Sequence, residues 1–255
     1  MHLLRFSPAL LAVAFAAAPL PLRGQDTAVV RLYGEAVSAG KAGRIPEAIR
    51  LMESVAARAP EATNAHWNLG LWYAGTDRPA DALRAWEAYR RLVPGDWHAR
   101  AKVIQAHQAL GDTVRRDRER AALLELRRAG TDTALARQKA YVREQFRAGG
   151  QRVMVFEVFE PAGEMRVFYA FYVLAPDGEE IRRYSLGSYD RTTQVAREMG
   201  EIGRDERLYH LDWYQEDAHA TVQFFKSMPT YDEVRARVVA AMAGQPRPAG
   251  SPDRP

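Results

Sequence analysis

Cysteine is absent from the 255 residues of the chain. Disulfide bonds, cysteine-ligated zinc sites and thiol catalysis are therefore excluded. Neither sign of charge dominates, because 36 lysines and arginines stand against 32 acidic residues. Two of those positive charges lie in residues 1–24, which leaves a net charge of +2 for the rest. This balance does not predict the clustered basic surface of a nucleic-acid-binding protein.

Several motifs of enzymes are also missing from the sequence. The chain has neither the glycine-rich phosphate loop nor the dinucleotide-binding glycine pattern, and it lacks the zinc-protease and serine-hydrolase motifs. The sequence therefore predicts no bound cofactor and gives no direct indication of an enzymatic activity.

Long apolar runs are confined to the N-terminus. Arg5 precedes a mostly apolar stretch at residues 6–20, and small residues occur at Ala16, Ala18 and Gly24. This order is typical of a secretory signal peptide, and the stretch is shorter than the roughly 20 residues of a membrane-spanning helix. We therefore expect residues 1–24 to be a signal peptide and the protein to be periplasmic or secreted. The mature chain should have no membrane span; an uncleaved anchor is the alternative.

A period of 34 residues runs through the next part of the chain. Pairs of residues separated by 34 positions are Ala48 and Ala82, Met52 and Trp86, Val55 and Tyr89, and Pro60 and Pro94. The pattern resembles the tetratricopeptide repeat, a helix-turn-helix unit of 34 residues. Its signature positions hold Leu69, Gly70, Tyr73, Ala82, Trp86 and Pro94. Gly70 and Ala82 are small where two helices cross closely, and Pro94 ends a helix.

The resemblance covers residues 29–128, or about three repeats. The first repeat departs from it at Ala36 and Ala39, where glycine and tyrosine are expected. The third repeat departs at Arg116, where alanine is expected, and its charged second helix is predicted to face solvent. A helical stripe of Leu135, Val142 and Phe146 predicts a capping and linking helix at residues 132–148.

The resemblance also implies a function. In this family the first helix of each repeat lines a groove that commonly holds a peptide or another protein. By position, the groove residues are Val30, Tyr33, Val37, Asn64, Trp67, Leu71, His98, Ala101, Gln105 and Gln108. Because this surface is apolar with amide and imidazole edges, it suits an aromatic or aliphatic side chain or a helix. The alternative is that the C-terminal half of the same chain covers it.

The C-terminal half, residues 150–243, has a different pattern and resembles no family that we recognise. It is rich in aromatic and β-branched residues, which predicts strands at residues 153–160, 166–174, 180–187, 207–214 and 219–226. A short helix is expected at residues 190–199 and a second one at 230–243, begun by Thr230 and Glu233 in capping-box spacing. The fold class is therefore α+β: an all-helical repeat array, then an antiparallel sheet with helices. The proline-rich tail, 244–255, is expected to be disordered.

One polar cluster in this half could carry chemistry. If residues 215–218 close a hairpin, one sheet face holds His210, Asp212, Tyr214, His219, Thr221 and Gln223, with His210 opposite Gln223. Two histidines and one aspartate could bind a divalent metal or support acid–base catalysis. The favoured interpretation is a solvated face, because an antiparallel sheet normally has one wet side. A polar contact surface with the repeats is a further alternative.

Together these patterns favour an exported, non-enzymatic protein that binds a protein or peptide partner. The alternative is an exported enzyme or metal-binding protein with its site in the C-terminal sheet. A structural accessory subunit of an envelope complex is a third possibility.

Overall fold

The computed structural model describes residues 27–162, 165–189, 208–215, 218–225 and 227–244. These residues form a helical unit that ends at Arg137 and a sheet unit that begins at Gln138. The predicted signal peptide, the predicted helix at 190–199 and the tail beyond Gly244 lie outside the described residues. None of the described helices is long and apolar enough to cross a membrane.

The helical unit contains three helical hairpins, as the repeat pattern predicts. The helices are α1 Thr27–Lys41, α2 Ile45–Arg58, α3 Thr63–Gly75, α4 Pro79–Leu92, α5 Trp97–Ala109 and α6 Thr113–Ala129, and a short α7 spans Thr133–Arg137. The turns within the three hairpins place a left-handed residue every 34 positions. These residues are Gly43 with φ 76°, Asp77 with φ 58° and Gly111 with φ 71°. The period in the sequence is thus a period in backbone geometry.

Close approach of helices explains the small residues of the repeat. Ala48 and Ala82 are fully buried, and Trp86 is only 2% exposed. A Cβ atom built on Gly70 would lie 2.1 Å from Nε1 of Trp86, so α3 and α4 pack together only because this residue has no side chain. The structure confirms that small residues set the spacing of these helices.

Ion pairs join the helices of the last hairpin to each other and to α4, beside buried apolar side chains such as Ile104 and Leu123. Glu119 of α6 accepts hydrogen bonds from Arg90 of α4 at 2.8 Å and from Arg100 of α5 at 2.5 Å. The prediction that the charged helix faces solvent is wrong at Arg116, which is 4% exposed. Its guanidinium is bound by Gln108 at 2.8 Å and by the carboxylate of Asp117. A long cation is buried there because polar partners satisfy it.

The helix predicted for residues 132–148 is wrong beyond Arg137. Residues 140–148 form the first strand of the sheet unit. Gly149 and Gly150 have φ of 55° and 76° and join this strand to the next as a tight hairpin turn. The spacing of Leu135, Val142 and Phe146 imitates a helical stripe, but the glycine pair reverses the chain rather than ending a helix.

The sheet unit is an antiparallel sheet with one described helix packed on it. The strands are β1 Ala140–Ala148, β2 Gln151–Val158, β3 Met165–Leu174, β4 Glu180–Tyr189, β5 Leu208–Gln215 and β6 Ala218–Phe225, and they pair in chain order. Helix α8, Tyr231–Ala243, begins with the predicted capping box of Thr230 and Glu233. It buries Val234 and Val238 against one face of the sheet. The α+β fold class is confirmed.

Candidate functional site

The first helices of neighbouring repeats are joined by a hydrogen bond on the predicted groove. Nδ2 of Asn68 in α3 donates to the hydroxyl of Tyr33 in α1 at 3.3 Å. Burial raises the pKa of the Tyr33 hydroxyl above its usual value, and the bond from Asn68 acts in the opposite direction. Tyr33 is therefore a fixed, partly buried ring rather than a mobile surface side chain.

Trp67, the predicted aromatic anchor, is partly buried and has an aromatic neighbour in its own hairpin. Its ring centroid lies 5.1 Å from that of Tyr89 in α4, at an interplanar angle of 53°. The hydroxyl of Tyr89 donates to Oδ2 of Asp96 at 2.8 Å. Asp96 caps α5 by accepting from the backbone N–H of His98. A chain of contacts therefore fixes Trp67 with respect to the start of the third repeat.

Burial and hydrogen bonds act in opposite directions on the pKa of Asp96 at this junction. Burial alone would raise the pKa of the carboxyl, but hydrogen bonds from His98 and Tyr89 outweigh it and lower the pKa below its usual value. Burial, and after it the contact with the Asp96 carboxylate, raise the pKa of Tyr89. The junction between the second and third repeats thus contains a carboxylate that stays ionised.

The other predicted groove residues differ in exposure. Val37 and Leu71 are partly buried and pack against the helical core. Asn64, Gln105 and Gln108 are also partly buried, Val30 is 45% exposed and Ala101 is buried at 7%. His98 is exposed, but its ring stacks on Trp97 at 3.8 Å and its Nδ1 lies 3.0 Å from Asp96. The imidazole predicted for ligand contact therefore belongs to the cap of α5.

One polar side chain near the groove was missed by the sequence analysis. Lys102 lies one turn before Gln105 in α5, and its ammonium donates to the Gln105 side chain at 3.2 Å. The ammonium also lies 5.9 Å from the ring centroid of Trp86. Burial lowers the pKa of Lys102 to about 8. The one indication of Lys102 in the sequence was its position next to Ala101, a predicted groove residue. It is a weak indication, because an isolated lysine on a helix usually lies on a solvated face.

The sheet unit corrects the prediction of a solvated polar face. His210 and Asp212 in β5 are only 2% and 1% exposed. Nδ1 of His210 lies 2.5 Å from Oδ2 of Asp212, and Nε2 of the exposed His219 lies 3.6 Å from Oδ1 of the same carboxylate. Tyr214 stacks on His219 at 4.7 Å. The polar residues of β5 are buried because imidazoles and a carboxylate pair with one another.

The predicted register of the β5–β6 hairpin is correct at one end only. Tyr214 pairs with His219 and Asp212 with Thr221 as expected, but His210 pairs with Phe224 instead of Gln223. The pairing shifts between Leu211 and Asp212 because β6 contains one extra residue there. No group of three side chains suited to hold a metal ion occurs in the described parts of the chain.

A second buried polar network was not predicted at all. The carboxylate of Glu157 in β2 accepts from Tyr141 at 2.7 Å and from Arg143 at 2.5 Å, both in β1. Glu144 accepts from Tyr231 at 2.5 Å and from Arg235 at 2.9 Å, which ties β1 to α8. A β-bulge at Arg143 permits this arrangement, because the pairing moves from Val142 directly to Glu144.

Comparison with known proteins gives matches among solved structures only. No family model matches the chain, and no curated protein matches it. The MamA protein has a crystal structure that matches with 18% identity and a TM-score of 0.37, over 43% of this chain and 58% of that one. The Sgt2 TPR domain from Aspergillus fumigatus matches with 18% identity and a TM-score of 0.36, over 44% of this chain and 74% of that one.

Proposed function

We propose that the helical unit is a binding module, without catalytic activity, for a peptide or a segment of a partner protein. The observation that supports this most directly is Trp67, which is partly buried yet fixed by Tyr89 at 5.1 Å. A large aromatic ring held in one place loses little conformational entropy when a partner packs on it. Such rings are frequent energetic anchors of protein interfaces.

The residues around Trp67 define the chemistry of the partner. Tyr33, Val37 and Leu71 are partly buried apolar side chains on the same helices, α1 and α3. Asn64 and Gln105 supply amide groups, which can pair with peptide backbone groups of a bound segment. The partner segment should therefore carry an aromatic or aliphatic side chain, with its backbone polar groups within reach of these amides.

The test is a selection of binding peptides from a displayed random library on the full chain, followed by affinity measurements with a fluorescent copy of each selected peptide. We expect Trp67→Ala to weaken binding by about 2 kcal/mol or more, as for an interface anchor. Leu71→Arg should abolish binding, since it places a charge on the apolar surface. Val114→Arg in α6 is the matched control, because Val114 is 79% exposed on a second helix.

Two results would count against this proposal. Selected peptides that bind Trp67→Ala and Leu71→Arg as well as the parent chain would place the binding surface elsewhere. A large drop in melting temperature for Trp67→Ala would show that the ring is part of the folded core. The C-terminal half of the chain would then be the first candidate to cover the predicted groove.

We further propose that the protein is exported and that the N-terminal segment is removed after Ala18 or after Gly24. The support is the basic, apolar and small-residue order of the N-terminus. N-terminal sequencing of the protein from fractionated producing cells should give a chain that begins near Pro19 or Gln25. A cytoplasmic chain that still carries Met1 would contradict export but would leave the binding proposal intact.

A further inference from the structure

The 34-residue period defines the place of Lys102 on the predicted groove. Tyr33 and Trp67 are 34 residues apart and occupy one position of the first and second repeats. Asn68 and Lys102 occupy the next position in the second and third repeats, and Asn68 reaches back to the hydroxyl of Tyr33. Because the hairpins repeat in backbone geometry as well as in sequence, Lys102 has the same relation to Trp67 that Asn68 has to Tyr33.

The ammonium of Lys102 has few partners for a cation that is withdrawn from water. A lysine ammonium carries three N–H donors, and one of them donates to the side-chain oxygen of Gln105 at 3.2 Å. The ring centroid of Trp86 lies 5.9 Å away, which is at the outer limit of a cation–π contact. Within the described parts of the chain, no carboxylate lies close enough to act on this ammonium.

Burial of a cation without a counter-charge costs free energy. Removal from water is the one cause that lowers the pKa of Lys102 to about 8, and a nearby carboxylate would act in the opposite direction. At pH 7 the amine is still mostly protonated, because this pH lies below its pKa. The groove therefore holds a partly buried positive charge that an anionic group of a partner would stabilise.

The charge of the third repeat as a whole also favours an anionic partner. Residues 97–128 contain eight lysines and arginines against four acidic residues, whereas residues 29–94 contain nine against seven. The four acidic residues already pair with arginines; they are Asp112, Asp117, Glu119 and Glu125. An excess of positive charge attracts an acidic segment at long range and favours it over a neutral one.

We propose that the partner segment carries an aspartate or glutamate side chain beside its apolar anchor, and that this carboxylate pairs with Lys102 while the anchor packs on Trp67. The inference rests on the proposed binding function and adds a charge requirement to it. The groove then selects segments that are both acidic and apolar over segments that are apolar alone. Lys102 is the residue that determines this specificity.

The experiment selects peptides on the full chain from two random libraries, one displayed with blocked C-termini and one with free C-termini. Each selected peptide is synthesised with both ends capped, together with a copy in which every acidic residue is replaced by its amide. Binding of fluorescent peptides is then titrated at pH 7. We expect each acidic peptide to bind about tenfold or more tightly than its amide copy, because a charge-assisted hydrogen bond is stronger than a neutral one.

Variants then locate the charge that makes this difference. Lys102→Met should weaken binding of the acidic peptides by about tenfold or more, whereas the amide copies should bind the variant and the parent alike. Lys41→Met is the matched control, because Lys41 is exposed in the last turn of α1, and it should leave both kinds of peptide unaffected. The comparison of acid with amide uses the parent chain, so the proposal stays testable even if Lys102→Met misfolds.

The outcomes separate this inference from the proposed function. Peptides that need Trp67 but bind equally well as acid and amide would overturn the acidic requirement and leave the proposed function standing. An equal loss of both kinds of peptide on Lys102→Met, or binding that requires a free C-terminal carboxylate, would also overturn it. If no peptide is selected, or if the selected peptides bind Trp67→Ala as well as the parent, the proposed function fails and this inference fails with it.

Discussion

Replacement of Gly70 by alanine tests the packing of the helical unit most directly. The added Cβ would lie 2.1 Å from Nε1 of Trp86 and 2.5 Å from its Cδ1 and Cε2, whereas ordinary contacts of a Cβ lie at 3.4–4 Å. Trp86 is 2% exposed and cannot swing into solvent. The helices must therefore separate by roughly an ångström or the ring must change rotamer, which costs about 1–3 kcal/mol in a packed core.

A second contribution, of opposite sign, enters the change in the free energy of unfolding caused by Gly70→Ala. Alanine favours a helix interior over glycine by about 1 kcal/mol. Gly34 in α1 isolates this contribution, because no atom lies within 4 Å of a Cβ built there. Gly34→Ala should therefore stabilise the chain by about 0.5–1 kcal/mol. Gly70→Ala should not stabilise it, and should destabilise it by up to about 2 kcal/mol after the propensity gain is included.

The assay is urea unfolding followed by circular dichroism at 222 nm, which reports mainly on the helical unit. A double variant, Gly70→Ala with Trp86→Leu, should be more stable than the two single effects predict, since the smaller side chain relieves the clash. If Gly70→Ala gains as much stability as Gly34→Ala, the contact between Gly70 and Trp86 does not exist as described. If the effects of Gly70→Ala and Trp86→Leu on the free energy of unfolding are additive, the two residues are likewise not in contact.

Three further predictions follow from single side chains. Asp77→Gly should raise the free energy of unfolding by about 0.5–1 kcal/mol in urea titrations, because Asp77 has φ 58° and glycine adopts this region without strain. Glu157→Gln should lower the free energy of unfolding by about 3–5 kcal/mol in thermal unfolding, since Arg143 is 1% exposed and loses its carboxylate partner. The double variant Arg143→Met with Glu157→Leu should recover most of this loss. Burial lowers the pKa of Lys102 to about 8 from 10.5, so the unfolded state binds more protons between these values. Stability should therefore rise with pH over this window, and a Lys102→Met variant should lack the rise.

The sequence predicted the helical unit well because its information is local and repeated. Each hairpin shows the same 34-residue spacing, and the positions of Gly70, Ala82 and Trp86 describe one packing contact. A repeat contacts chiefly its neighbours, so a pattern along the chain is also a pattern in space. The repeat pattern places the groove residues on helices. It does not predict their contacts, because the packing of Trp67 on Tyr89 depends on side chains that the pattern does not specify.

The sheet unit was harder to predict because its decisive contacts are distant in sequence. The bulge at Arg143 has no signature in the residues around it, and it creates a network with a helix almost 90 residues later. Alternation alone marks His210 and Asp212 as a polar face, and polar faces are usually wet. Their burial depends on mutual pairing across 2.5 Å, which a linear pattern does not contain.

The position of Glu119 between Arg90 and Arg100 gives the two ends of the array different responses to salt. The first two hairpins are held by a buried tryptophan and alanines, and apolar contacts of this kind do not weaken when ions are added. Helix α6 buries Leu123 but also relies on ion pairs whose side chains are 18–26% exposed, so dissolved ions screen part of their attraction. In a linear array each hairpin is stabilised by its neighbour. As ionic strength rises, we expect α6 to lose more of its stabilisation than the helices of the first two hairpins do.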